Sequence, residues 1–156
     1  MLDEYIQKYG KRLFGLCLTL CANGPDAEDL YQDTWLKVLR HWGRYDEAKE
    51  FEPWLTAICV NTYRDRLRRL QRLPLFRELP EELAAPEQAD YSDLHRAIDQ
   101  LPEKLRLTVI LFYFQELDLE STAAVFKIPV GTVKSRLHRA RTMLKEVLQH
   151  ETDLQF

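Results

Sequence analysis

The sequence predicts an all-α protein made of two small helical domains joined by a flexible acidic linker. Apolar residues recur at steps of three and four along most of the chain, and no stretch shows the two-residue alternation of a strand. The 156 residues suffice for one ordinary domain or two very small ones. Residues 74–91 contain three prolines and no sustained period, which is typical of a linker. We therefore predict a first domain at 1–73, a linker at 74–91, a second domain at 92–149 and a tail at 150–156.

The composition excludes several classes of protein. Hydrophobic residues make up 46% and charged residues 30% of the chain, a globular balance. No apolar run approaches the roughly 20 residues of a membrane span, and the N-terminal stretch lacks the apolar core of a signal peptide. We expect a cytoplasmic protein without membrane insertion. Three cysteines in apolar helical segments predict buried small side chains, and no further ligand lies at metal spacing, so we expect no metal site and no cofactor.

Charge alternates along the chain although the net charge is only −3. Residues 64–77 carry six arginines against one acid, and residues 127–145 carry six basic residues and no acid. Residues 78–93 between them carry six acids and no base. Two basic blocks of this kind attract nucleic acid through counterion release.

Two helices are predicted in the first 42 residues. The first covers Leu2 to Cys21, and Gly24 and Pro25 break the chain before Asp26, which we predict as the N-cap of the second. The second helix is expected to run to about Trp42. Its predicted apolar stripe is Ala27, Leu30 or Tyr31, Trp35, Val38, Leu39 and Trp42. A second line at the same spacing forms either a solvated face or a docking edge: Asp29, Gln32, Asp33 and Leu36.

A surface loop is predicted at 43–50, followed by a third helix for which Pro53 suits the first helical position. The predicted inward face consists of Phe51, Trp54, Leu55, Ile58, Cys59 and Thr62. The outer face consists of Asn61, Arg64, Asp65, Arg68 and Arg69. Trp54 and Tyr63 are interleaved with these cations, a pattern suited to stacking on single-stranded nucleic acid, although for Trp54 we favour a place in the core.

The second domain ends in a predicted helix-turn-helix. Helical pattern resumes near Ser92 with Leu94, Ile98 and Leu101, and Pro102 opens a long apolar helix that buries Leu105, Val109 and Phe112. Asp118 is then expected to cap a short helix in which Ala123 and Ala124 permit a close crossing, before a turn at Lys127 and Ile128.

The last helix starts at Pro129, with Gly131 or Thr132 as its cap, and its apolar stripe is Val133, Leu137, Ala140 and Leu144. Its opposite face carries Lys134, Ser135, Arg136, His138, Arg139 and Arg141. Cations and short polar side chains on one helix suit phosphates and base edges, so we interpret it as a recognition helix. The competing interpretation is a solvated basic helix that only packs an all-α domain.

With these segments placed, the sequence resembles the bacterial RNA polymerase sigma factors of the extracytoplasmic-function group, within the sigma-70 family. The resemblance lies in DAEDLYQDTWLKVLR at 26–40 for region 2.2, FEPWLTAICVNTYRDRLRR at 51–69 for regions 2.3 and 2.4, LPEKLRLTVIL at 101–111 for region 4.1 and IPVGTVKSRLHRAR at 128–141 for region 4.2. It implies a factor that binds core polymerase and directs promoter recognition, DNA melting and transcription initiation, with no catalytic residues of its own.

The resemblance also implies roles for individual residues. Asp29, Gln32, Asp33 and Leu36 would dock on the clamp helices of the polymerase β′ subunit, and the β flap is a further expected contact. The loop at 43–50 would hold a base flipped from the minus-ten element, with Asn61, Arg64, Asp65 and Arg68 on the same strand. Thr132, Lys134, Ser135, Arg136, His138 and Arg139 would bind the minus-thirty-five element, the arginines together with Arg141 on phosphates. The acidic linker would thread the polymerase interior, and an anti-sigma factor is an expected partner.

Two residues depart from the family pattern. Thr122 stands where an aliphatic residue is usual, and Lys127 stands where glycine is usual, so Lys127 is expected to adopt positive φ. One alternative function is a stand-alone helix-turn-helix regulator that binds duplex operators as a dimer. A nucleic-acid enzyme is disfavoured, because the histidines and acids form no cluster with catalytic spacing in the sequence.

Overall fold

The computed structural model describes residues 2–21, 23–73 and 93–154, with side chains described as far as residue 149. The predicted linker at 74–91 lies outside these residues. Within them the chain forms seven α-helices and no strand, so the all-α prediction is confirmed. The chain divides into two compact units, Met1–Glu87 and Gln88–Phe156, each with a core of its own.

The first unit contains α1 (Leu2–Leu20), α2 (Gly24–Arg40), a 3-10 turn (Trp42–Arg44) and α3 (Phe51–Arg72). Helix α2 packs against both α1 and α3. The core is mostly aliphatic, with Trp35, Phe51 and Tyr63 as its buried rings, and includes Leu13, Leu16, Leu20, Ala27, Leu30, Val38, Leu55 and Val60. The buried hydroxyls of Thr34 and Thr62 donate to the carbonyl oxygens of Leu30 and Ile58, so neither lacks a partner.

The N-cap of α2 is Asn23, and the prediction of Asp26 was wrong. The Asn23 side-chain oxygen accepts a hydrogen bond from the Asp26 backbone N–H at 2.8 Å. Gly24 and Pro25 occupy the first turn, where the missing N–H of proline removes no intrahelical bond. Asp26 instead adds an acidic side chain to the positive end of the helix.

Three apolar positions of the first unit differ from the prediction. Leu39 was placed in the buried stripe, but 59% of its surface is exposed. Helix α2 ends at Arg40, and Trp42 belongs to the 3-10 turn as a half-buried residue. Trp54, for which we favoured a place in the core, is half-buried within a cluster of rings. Helix α3 begins at Phe51 and not at Pro53.

The cysteines behave mostly as expected small hydrophobic residues. Cys17 and Cys59 are buried with their sulfur atoms 3.8 Å apart, whereas Cys21 is half-buried, and no disulfide joins any of the three. The Cys59 hydrogen bond and burial both raise the pKa of Cys17, because each favours the neutral thiol. The thiolate is the reactive form, so Cys17 is a packing residue.

The second unit contains α4 (Asp93–Asp99), α5 (Glu103–Val109), a π-helical turn (Ile110–Phe114), α6 (Leu119–Phe126) and α7 (Val130–Leu154). Its buried core consists of Ile98, Leu101, Leu105, Val109, Ala123, Val133, Leu137 and Ala140. The long helix predicted after Pro102 is α-helical only as far as Val109 and then changes to the π turn. In that turn the Gln115 N–H donates to the Ile110 carbonyl oxygen, five residues back. Leu94, predicted to be apolar core, is exposed. Helix α7 continues into the segment predicted as a tail.

The turn between α6 and α7 shows how the chain accommodates its two departures from the family pattern. Asp118 caps α6 as predicted, by accepting the Ser121 N–H at 2.7 Å. The buried Thr122 hydroxyl donates to the Asp118 carbonyl at 2.9 Å, which satisfies the polar group. Lys127 has φ 56° and ψ 47°, the left-handed conformation that was expected. Ala123 is buried, but Ala124 is exposed and takes no part in the crossing.

Replacing Lys127 by glycine should stabilise the protein by about 1 kcal/mol, because a side chain in the left-handed region clashes with its own backbone and glycine has no Cβ. Urea denaturation of the full chain measures this difference. Lys145→Gly is the matched control, since Lys145 lies in the right-handed helix α7 and the same change should there destabilise by about 1 kcal/mol. Equal losses for both variants would contradict the assignment.

Candidate polymerase-docking and nucleic-acid surfaces

A row of side chains on α2 forms the candidate docking surface, called here the docking row: Asp29, Gln32, Asp33 and Leu36. Their spacing places them on one face, where Asp33 is half-buried and the other three are exposed. Leu36 exposes 59% of its surface, as does Leu39 three residues further on. Leu39 therefore extends the docking row, a role that the sequence reasoning missed although its spacing from Leu36 signalled it.

Helix α3 holds the first residue of the docking row through Arg66. The Arg66 guanidinium lies 3.7 Å from the Asp29 carboxylate and 3.4 Å from the Asp26 carbonyl oxygen. Most of the Asp29 side chain remains exposed, so the pair contributes little to stability. The contact orients Asp29 while leaving its outer oxygen surface accessible.

Beside the docking row, α1 and α2 enclose an open groove of about 580 Å³ whose lining includes Lys11, Phe14, Tyr31 and Gln32. Gly10 permits this close approach, because a Cβ there would lie 2.9 Å from the Tyr31 hydroxyl oxygen. The Phe14 and Tyr31 rings meet edge to face at 5.5 Å. The groove is thus a rigid, partly aromatic depression next to Gln32.

The loop at 43–50 is braced by aromatic rings. Its Tyr45 ring lies 4.9 Å from the Trp54 ring and 5.3 Å from the Phe51 ring, centroid to centroid. The Tyr45 hydroxyl donates to the Lys49 carbonyl at 2.8 Å, and the Asp46 carboxylate accepts the Ala48 N–H at 3.0 Å. The loop therefore has a defined shape with half-exposed rings at its base.

The outer face of α3 carries the four residues predicted to bind the minus-ten strand. Asn61, Asp65 and Arg68 are exposed and Arg64 is half-buried, so all four reach the surface of one helix. Arg68 lies 3.7 Å from Asp65 in an exposed pair that is easily exchanged for another partner. Tyr63 is buried, so the prediction that it stacks on nucleic acid was wrong.

The candidate recognition helix is α7, and six of its residues form what we call the reading face: Thr132, Lys134, Ser135, Arg136, His138 and Arg139. Thr132 and Arg136 are half-buried and the other four are exposed. The stripe of Val133, Leu137 and Ala140 is buried on the opposite side, as predicted. The Pro129 carbonyl accepts the Thr132 and Val133 N–H groups, so Gly131 and Thr132 lie within the first turn and do not cap it.

Two arginines of α7 rest on aromatic rings. Arg136 lies over the Phe126 ring at 5.7 Å, at the end of α6. Arg141, one turn beyond His138, contacts Tyr113 at the end of the π turn. Both rings come from helices that pack beneath α7, so the fold restricts these two cations more than sequence reasoning indicated.

Residues 2–21, 23–73 and 93–154 contain neither a metal-binding cluster nor a membrane-spanning helix. No three His, Cys, Asp or Glu side chains there are grouped so as to hold a metal ion. None of the helices described is both long and apolar enough to cross a membrane.

Comparison with known proteins identifies the family to which both units are similar. The sigma-70 region 2 family matches residues 5–73, and the sigma-70 region 4 family matches residues 91–144. The RNA polymerase sigma-H factor of Pseudomonas aeruginosa is 31% identical over an alignment of 165 residues, gaps included. The alignment covers 94% of this chain and 86% of that protein. The ECF RNA polymerase sigma factor SigE of Mycolicibacterium smegmatis is 34% identical over an alignment of 157 residues. The alignment covers 94% of this chain but only 61% of that relative.

A solved structure is also similar. It is the sigma factor RpoE of Bartonella quintana in complex with the anti-sigma factor NepR. The two chains share 27% identity with a TM-score of 0.76, over 95% of this chain and 96% of the other.

Proposed function

Because this chain belongs to the extracytoplasmic-function group of the sigma-70 family, we propose that it binds core RNA polymerase and directs promoter recognition, DNA melting and transcription initiation. The observation that carries the proposal is the separation of two exposed surfaces. The docking row and the outer face of α3 lie in the unit that matches region 2, and the reading face lies in the unit that matches region 4. A promoter has two elements, and one unit is available for each.

The docking row would bind the clamp helices of the polymerase β′ subunit. It combines the exposed Asp29 and the half-buried Asp33 with exposed leucines on one helix. In a mixed patch of this kind the apolar side chains are buried against a partner, and the charges fix the register of the contact. The second unit would reach the β flap. We place the protein in the cytoplasm, where core polymerase acts, and expect no catalysis of its own.

Melted minus-ten DNA would bind the first unit. Asn61, Arg64, Asp65 and Arg68 supply donors and acceptors along α3, and the braced loop at 43–50 supplies half-exposed aromatic rings at its base. Unstacking a base costs a few kcal/mol, which stacking on such rings offsets.

Duplex minus-thirty-five DNA would bind the second unit. Lys134, Ser135 and His138 project from one exposed side of α7 toward base edges in the major groove, with Thr132 at its first turn. Arg136 and Arg139 would bind phosphates. An anti-sigma factor is included among the proposed partners, since a structural relative was solved with one.

Run-off transcription tests the proposal. Purified core polymerase with the full chain should start at defined positions in a mixed library of promoter fragments, and the selected fragments should share two short elements at fixed spacing. Core enzyme alone is the control. The absence of any chain-dependent start across the library would reject the function.

A second experiment separates this function from a stand-alone operator-binding regulator. Replacing Gln32 and Asp33 by alanine should abolish chain-dependent transcription if the docking row binds polymerase. A stand-alone regulator would instead bind a palindromic duplex as a dimer, and the double variant would bind it unchanged.

A further inference from the structure

Tyr113 and Arg141 form a contact between two surface residues that are 28 positions apart in the sequence. The Arg141 Nε–H donates to the Tyr113 hydroxyl oxygen at 2.6 Å, and the guanidinium carbon lies 5.6 Å from the centre of the tyrosine ring. One hydrogen bond and one ring contact therefore act on the same guanidinium. Together they restrict both its position and its plane.

The tyrosine side of this contact is anchored by the core. Tyr113 is the next-to-last residue of the π-helical turn and keeps 48% of its surface exposed, so it is not itself a core residue. Its ring meets the Phe112 ring edge to face at 5.1 Å. Phe112 packs against the buried cluster of the second unit. The core thus holds Tyr113, and Tyr113 holds Arg141.

The contact leaves the charge of Arg141 available. Other arginines of the chain lie beside carboxylates that partly neutralise them, as Arg66 does beside Asp29 and Arg68 beside Asp65. Among the residues that the structure describes, Tyr113 is a neutral partner that accepts from Nε, which leaves the donors of the two terminal amino groups of Arg141 to an anion. Pairs of parallel N–H donors of this kind match the oxygens of a phosphate.

The position of Arg141 points to a phosphate at the edge of the groove. Arg141 follows Lys134 by seven residues and His138 by three, which places all three in one row of α7. Seven residues of helix extend about 10 Å, close to the major-groove width of about 12 Å. When Lys134 lies over base edges, Arg141 lies near the sugar-phosphate wall.

We propose that Tyr113 is a positioning residue that holds Arg141 ready for a backbone phosphate of the duplex bound by α7. The inference rests on the proposed function, because it requires α7 to bind duplex DNA. Arg139 provides the contrast, since it is exposed and makes no contact with Tyr113. Binding DNA must immobilise the Arg139 side chain, whereas the Arg141 side chain is immobilised beforehand.

The proposal is tested by measuring how the full chain binds a short mixed-sequence DNA duplex at several salt concentrations. Fluorescence anisotropy of the labelled duplex reports the binding. Arg141→Ala should reduce the slope of log affinity against log salt by about 0.9, the value for one lost phosphate contact. Tyr113→Phe keeps the ring and removes the hydroxyl, so affinity should fall about fivefold with the slope unchanged.

The same tyrosine change should have no effect in the Arg141→Ala or Arg141→Lys background. In the Arg139→Ala background it should again lower affinity about fivefold.

Four results would overturn the inference. In the first, the Tyr113→Phe variant binds duplex with the same affinity as the wild-type chain. In the second, Tyr113→Phe lowers the affinity equally with and without Arg141, which would indicate a purely structural role. Circular dichroism melting of each variant identifies a loss that comes from unfolding, and a loss confined to unfolded protein also counts against the proposal. A wild-type chain with no affinity for duplex would reject the proposed function and this inference together, whereas binding without the Tyr113 dependence rejects the inference alone.

Discussion

Replacing Leu36 by glutamate should weaken the binding of core RNA polymerase about a hundredfold, the loss expected when a central apolar contact of an interface is removed. Leu36 exposes 59% of its surface on α2, so the change leaves the core of the first unit intact. A carboxylate there would have to lose its water to dock, without a partner to compensate it. Titration of labelled chain with purified core enzyme measures the effect.

The matched control for this variant is Leu18→Glu. Leu18 is an α1 leucine with 46% of its surface exposed, and it lies outside the docking row. It should bind polymerase as the unaltered chain does. Affinities within a few-fold of each other for Leu36→Glu and Leu18→Glu would show that the docking row is only a solvated face.

Replacing Leu137 by alanine should destabilise the second unit by about 3 to 4 kcal/mol. Leu137 is 2% exposed and packs in the cluster formed by α4 to α7. That cluster is small, so the loss is a large part of the stability available to a domain of this size. Urea denaturation should show the decrease, and binding to minus-thirty-five duplex should fail at temperatures where the unaltered chain still binds.

Leu137→Met is the volume-conserving control and should cost less than about 1.5 kcal/mol. Because the docking row belongs to the first unit, Leu137→Ala should still bind core polymerase. A destabilisation no larger for alanine than for methionine would mean that Leu137 does not fill the core. Loss of polymerase binding in a folded first unit would mean that docking depends on the second.

Sequence periodicity predicted the helices well wherever a wide apolar stripe met the core. Val133, Leu137 and Ala140 are buried as expected, because three- and four-residue spacing leaves only one inward face on α7. The prediction that Leu39 is buried was wrong because the apolar stripe of α2 is less sharply bounded. Leu39 stands at the edge of the α2 stripe, where the pattern fits either face and only the neighbouring helices decide.

Backbone irregularities were less accessible to sequence reasoning. The π turn at Ile110–Phe114 has no periodic signature, since its residues are apolar throughout and suit an α-helix equally. Glu116 has φ 56°, and nothing in its residue type signals this. Lys127 was expected at positive φ only because the family places glycine there, which is an argument from resemblance and not from its own chemistry.

The candidate surfaces could be predicted as rows of residues but not as contacts. The exposed line on α2 and the basic face of α7 follow from helical spacing alone. The contacts of Arg66 with Asp29 and of Arg141 with Tyr113 join different helices, so no local pattern contains them. Sequence therefore indicates which side chains face outward, and the fold determines which of them are held in place.

Direct association of the purified chain with core RNA polymerase tests the central claim most simply. The chain should form a stable complex of one copy per core enzyme, detected by titration and co-elution, and Leu36→Glu should weaken it about a hundredfold. A folded, inhibitor-free sample that leaves core polymerase unbound would contradict the account.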